Sequence, residues 1–148
     1  MRHASLALIL VVEDNPEDFT ALSRALRTHA VPNAVVHCAD GEQALAYLRS
    51  HSRPPAGPPA LPALVLLDLN MPGLDGRDVL EALKQDPDLQ LIPVVVFTTS
   101  ANARDVEECY RLGANSYLTK PLSYPDLEEK VDLLAHFWLD ACKLLHCA

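Results

Sequence analysis

Four places in this chain set residues suited to phosphate and metal chemistry just behind a short apolar run. Glu13 and Asp14 follow residues 6–12, and Asp68 follows residues 63–67. Thr98, Thr99 and Ser100 follow residues 94–97, and Lys120 with Pro121 comes shortly after residues 116–118. One carboxylate at the end of one run is an ordinary loop residue. Four ends of matched chemical type form a constellation. Three carboxylates drawn together repel one another unless a cation lies among them. An all-oxygen donor set suits a hard divalent ion such as Mg²⁺, which keeps waters and takes one or two carboxylates beside phosphate oxygens. A lysine and a hydroxyl add donors for an anion. The chemistry indicated is phosphoryl transfer, in which catalysis is chiefly positioning and charge neutralisation. The chain has no P-loop lysine motif and no GxGxxG to hold a nucleotide. The phosphoryl donor must therefore come from outside.

Such a constellation needs a scaffold that brings distant strand ends to one edge. Residues 6–12, 34–38, 63–67, 94–97 and 116–118 read as strands, most of them rich in Val, Ile and Leu without polar alternation. Uninterrupted apolar runs belong to strands buried on both faces. Between them lie amphipathic stretches. Asn15 reads as a helix cap with Pro16 at the first helical position, and Phe19, Leu22 and Leu26 then share a face. Ala44, Leu45 and Leu48 mark a second helix, and Val79, Leu80 and Leu83 a third, capped by Asp75. A fourth spans about 103–112 and stops at Gly113, and Ser123 with Asp126 three residues on opens a fifth. Strictly alternating strands and helices imply an α/β, doubly wound five-stranded parallel sheet, helices on both faces. Ligands of such sheets sit beyond the carboxyl ends of the strands.

Length and composition agree. The chain has 148 residues, 49% of them hydrophobic, which suits one domain covering 1–148. A formal charge of −8 argues against a nucleic-acid partner, which needs clustered basic residues. The apolar run near the start enters Glu13 and Asp14 without a small-residue cleavage site, and nothing approaches the ~20 apolar residues of a membrane span. A cytoplasmic protein off the membrane is expected, its four cysteines reduced thiols. Five prolines between residues 54 and 62 exclude helix and interior strand and mark a surface loop.

The segments VVEDN (11–15), LLDLNMPGLDG (66–76), VVVFTTS (94–100) and LGANSYLTKPL (112–122) resemble the signature blocks of response-regulator receiver domains. The likeness runs in order to about residue 135. It implies the flavodoxin-like (βα)5 fold with strand order 2-1-3-4-5. It also implies a phosphoacceptor at Asp68 and Mg²⁺ held by Asp14, Glu13, Asp68 and the backbone carbonyl of Asn70. Thr98 and Lys120 would bind phosphoryl oxygens, Tyr117 would pair with Thr98 as the switch, and a cis peptide bond would precede Pro121. The donor would be a sensor histidine kinase. The receiver would assist its own phosphorylation and dephosphorylation without being an enzyme toward other substrates.

Beyond the last block, Leu127, Val131, Leu134 and Trp138 share a stripe facing the sheet, whereas Leu133, Phe137 and Leu144 lie off it. Residues 136–148 read as a helical extension, and a homodimer through it is expected, since a lone molecule would leave that surface wet. The Phe137-Trp138-Leu139 ending and the long loop before the third strand resemble single-domain regulators that partner phytochrome sensor kinases. A flavodoxin-like electron carrier would need a phosphate-cradling loop after the first strand, which is missing. A phosphate-independent pseudo-receiver would lack an acid or the lysine, and both are present.

Overall fold

A computed structural model describes residues 8–28, 35–57 and 59–145. Five strands, β1 (Ile9–Val12), β2 (Val35–Cys38), β3 (Leu64–Leu67), β4 (Val94–Thr98) and β5 (Ser116–Thr119), form one parallel sheet in the order β2-β1-β3-β4-β5. The helices are α1 (Pro16–Thr28), α2 (Gly41–Ser52), α3 (Gly76–Gln85), α4 (Ala103–Leu112) and α5 (Tyr124–Leu134). The order reverses between β1 and β3, so the crevice between their carboxyl ends is the switch point where ligands of such sheets bind.

The central strands expose no face. Alternate residues of each point to opposite sides, and both sides are covered. Leu10, Val12, Val65, Leu67, Val94 and Val96 pack with Ala44, Leu48, Leu80, Leu83 and Cys109 of α2, α3 and α4. Ile9, Val11, Leu64, Leu66, Val95 and Phe97 pack with Leu22, Ala25, Leu26, Val131 and Leu134 of α1 and α5.

Local chemistry sets the helix ends. Asn15 Oδ1 accepts from the amides of Glu17 (2.9 Å) and Asp18 (3.0 Å), so the first turn of α1 starts immediately behind Asp14. Asp75 caps α3 in a reciprocal capping box with Asp78, and Ser123 caps α5 through the amide of Asp126. Gly113 ends α4 at φ 109°, a left-handed conformation that a side chain would strain. The proline-rich segment is a loop from Arg53 onward, tied by the Ala60 amide to the His51 carbonyl (3.0 Å) and by Arg53 to Asp88 (2.7 Å). Pro58 lies outside the described residues.

The C-terminal segment departs from a simple extension of α5. Residues Ala135–Ala141 wind as a π-helix, closed by the Cys142 amide on the Phe137 carbonyl (2.9 Å), and residues 142–145 leave helical structure. The wider turn lets Trp138 and its neighbour Leu139 both pack against the α1–α5 side of the core. Leu133 (65% exposed) and Phe137 (56%) stay on the outside as the stripe requires. In the tail it is Leu145, at 52%, that is exposed, while Leu144 is partly covered. Residues 146–148, the remainder of the expected extension, lie outside the described residues.

Candidate functional site

The residues behind the strands are held in register by ladder bonds that continue past the strand ends. The Glu13 amide donates to the Cys38 carbonyl (3.0 Å), the Asp68 amide to Val12 (3.0 Å) and the Lys120 amide to Thr98 (2.7 Å). Each candidate side chain therefore starts from a backbone fixed by its neighbour strand. The loop after Asp68 turns back sharply, with the Gly76 amide on the Leu69 carbonyl (2.9 Å). Gly76 is required there, because a Cβ would strike the Asp68 carbonyl oxygen and come within 2.7 Å of Leu69 Cα.

The structure brings Glu13, Asp14 and Asp68 together, with one carboxylate oxygen from each within 4.8 Å of the others. Lys120 Nζ reaches into this cluster from β5. It donates to Glu13 Oε1 at 2.5 Å, Asp18 Oδ2 at 3.0 Å and Asp68 Oδ2 at 3.3 Å. The other oxygen of Asp68 accepts from the Leu69 amide (2.8 Å), and Glu13 Oε2 from the Asn15 amide (3.1 Å). Glu13 and Asp68 are buried, whereas Asp14 stands nearer the solvent. Thr98 is fully buried at the end of β4, and Asn70 is exposed two residues past Asp68.

Electrostatics follow from that packing. Burial pushes the Glu13 carboxyl up to about 7, assisted by the Asp68 charge and opposed by the hydrogen bond from Lys120. Burial works against the Lys120 ammonium, yet the bonds and charges of Glu13, Asp68 and Asp18 hold its pKa above the usual lysine value. One ammonium faces four carboxylates, so negative charge is left over. All the donors are oxygen. Such a site fits a hard divalent cation.

Tyr117 is half-buried against the α2–α4 side of the core, and its hydroxyl donates to the Ser100 carbonyl (2.9 Å). The Ser100 amide stands 3.5 Å from Thr98 Oγ1, so Ser100 links the two expected switch residues. Its hydroxyl donates to Asp105 Oδ2 (2.6 Å), and Asp105 is paired with Arg77 of α3 (2.6 Å). One expectation is corrected. The Lys120–Pro121 peptide is trans, no described peptide bond being cis. The two isomers of an X–Pro bond differ by only ~1 kcal/mol, so a proline at this position does not dictate the cis form.

Sequence reasoning missed Asp18 as a member of the site. The signal was available: α1 begins straight after Asp14, and helical side chains lean toward the N-terminus, which turns Asp18 back over the strand ends.

A buried carboxylate at the switch point of a 2-1-3-4-5 sheet, with an acid pair and a lysine beside it, matches the site expected of a flavodoxin-like receiver. The response regulator receiver domain model matches residues 9–132. The chain belongs to this family and is a receiver-domain response regulator. It is 42% identical over 137 residues to response regulator Rcp1 of Synechocystis, a match covering 93% of this chain and 92% of Rcp1. The phosphorylated cyanobacterial phytochrome response regulator RcpA superposes with a TM-score of 0.86 at 41% identity, over 95% of this chain and 99% of RcpA. The Mn²⁺-bound form of Rcp1 superposes with a TM-score of 0.82, over 93% of this chain and 98% of that one. Among the described residues, no helix is long and apolar enough to cross a membrane.

Proposed function

We propose that this receiver accepts a phosphoryl group on Asp68 from the phosphohistidine of a sensor histidine kinase, in a Mg²⁺-dependent reaction. The observation that carries the reading is the Asp68 carboxylate itself. It is buried, oriented by the Leu69 amide, bonded to Lys120 and grouped with Glu13 and Asp14. An Asp68 oxygen forms the new P–O bond as the P–N bond breaks, its electron pair leaving with the imidazole. Lys120 and Thr98 receive oxygens of the transferred group. Glu13, Asp14, Asp68 and the Asn70 carbonyl would hold Mg²⁺, which supplies charge neutralisation at the transferring phosphoryl group. Gain and loss of the group are both assisted by this same site.

The acyl phosphate adds negative charge and acceptors for ~1–3 charge-assisted hydrogen bonds. Thr98 and Tyr117 form the switch that answers it, through Ser100. The kinase is of the phytochrome type and the setting cytoplasmic. This reading is supported by the likeness to RcpA and Rcp1 along nearly the whole chain. The exposed Leu133 and Phe137 form the centre of a homodimer contact on the last helix and its π-wound extension. Incubation with Mg²⁺ and acetyl phosphate, followed by intact mass, tests the assignment. One phosphoryl increment is expected on wild type and none on Asp68→Asn. An increment retained by Asp68→Asn overturns it.

A further inference from the structure

We infer that Asp18 is a displaceable latch on Lys120, a positioning residue that must release the ammonium before Lys120 can serve the phosphoryl group on Asp68. The inference rests on the reading of Asp68 as acceptor.

An ammonium has three donors and no acceptor. Those of Lys120 are all committed, to Glu13 at 2.5 Å, Asp18 at 3.0 Å and Asp68 at 3.3 Å. The longest of the three bonds is the one to the acceptor. During transfer an Asp68 oxygen forms a bond to phosphorus as the bond between phosphorus and the donor's leaving atom breaks, the electron pair departing with the leaving group. The incoming phosphoryl oxygens need a hydrogen-bond donor from Lys120, so one existing partner must give way.

Exposure decides which. The Glu13 and Asp68 side chains are 4% and 8% exposed, and the Asp18 side chain is 44% exposed. Freeing Glu13 would strand a buried carboxylate without its counter-charge, which is costly. Freeing Asp18 returns a carboxylate to water at the mouth of the site. Its backbone stays put meanwhile, because the Asp18 amide is held by Asn15 Oδ1. A rotation about its side-chain bonds suffices. Asp18 also lines a cavity of about 240 Å³ that opens beside Lys120, between α1 and the start of α5, so the freed carboxylate has room.

The latch keeps one Lys120 donor engaged until the phosphoryl group competes for it. Removing the charge at position 18 therefore speeds acceptance. The experiment compares the limiting phosphorylation rate, with saturating Mg²⁺ and acetyl phosphate, among wild type, Asp18→Asn, Asp18→Ala and Glu17→Gln. Glu17→Gln removes the same charge one residue away, in the same helical turn but without a bond to Lys120. Expected is a gain of about three- to fivefold for both position-18 variants, the scale of a half-exposed ion pair, and under twofold for Glu17→Gln. Asp18→Glu should return toward wild type. In metal-free protein, the Lys120 ammonium protons should exchange with water faster in Asp18→Asn than in wild type. A position-18 variant no faster than wild type overturns the latch alone, as does an equal gain in Glu17→Gln. A wild type that takes up no phosphoryl group overturns the assignment of Asp68 and the latch with it.

Discussion

Glu13 gives the sharpest test of the site's electrostatics. Its carboxyl is raised from 4.5 to about 7, burial being the largest cause. The unfolded chain keeps the ordinary value, so the folded state binds this proton more tightly. The associated stability is fully present below about pH 4.5 and is lost as pH rises through about 7. At about 1.4 kcal/mol for each tenfold change in proton affinity, the ceiling on that loss is roughly 3 kcal/mol. The value of about 7 is already net of the Lys120 and Asp68 charges, so a loss of about 2–3 kcal/mol is expected. The raised pKa of Lys120 acts only at alkaline pH, outside this window.

Glu13→Gln removes the titrating group while leaving a side chain that still accepts from Lys120. Urea unfolding in the presence of a chelator, at pH values from 5 to 8, should show wild type losing about 2–3 kcal/mol relative to the variant as pH rises. Contributions common to both proteins cancel in the difference. Mg²⁺ at 100 times its dissociation constant should restore about 2.7 kcal/mol to wild type near pH 8. Parallel profiles for the two proteins, or a wild type that gains on the variant with rising pH, refute the reasoning.

Two further perturbations address the scaffold and the partner surface. Gly76→Ala drives a methyl group into the Asp68 carbonyl; calorimetry should show a loss of about 1–3 kcal/mol, and intact mass a slower phosphoryl uptake. Phe137→Asp places a charge at the centre of the exposed stripe on the π-wound segment, 56% exposed in the single chain. Sedimentation should find wild type dimeric and the variant monomeric, with acceptance by Asp68 unchanged.

Much of this was written in the local chemistry of the chain. Buried parallel strands announce themselves because both faces need apolar residues, and β1, β3 and β4 are buried throughout. Caps were equally readable, since Asn15, Asp75 and Ser123 each satisfy orphan amides through a side chain close in sequence. The gathering of Glu13, Asp14, Asp68 and Lys120 followed from one rule, that strand ends of a parallel sheet share an edge. What escaped depends on longer-range competition. Asp18 joins the site only because Lys120 has a third donor to place, which no spacing within α1 records. The π-winding of Ala135–Ala141 answers to packing of Trp138 and Leu139 against the core, and a helical stripe drawn at 3.6 residues per turn cannot show it.

The same long-range competition gives the proposed phosphorylation of Asp68 a route to the α4 side of the sheet. Thr98 is fully buried, so it cannot move toward a new phosphoryl oxygen without taking its surroundings along. Its hydroxyl faces the Ser100 amide, and Ser100 is held at two other points, its carbonyl by Tyr117 and its hydroxyl by Asp105. Asp105 is the first residue of α4 clamped to α3, through Arg77, and Glu108 repeats the clamp one turn later at 2.8 Å. Hydrogen bonds weaken steeply with distance and angle, so these contacts have discrete arrangements and do not stretch smoothly. A shift of the loop behind β4 must either carry the start of α4 with it or break the Ser100–Asp105 bond. Either outcome would change the surface of α4 and β5 on the proposed reading of Asp68 as acceptor.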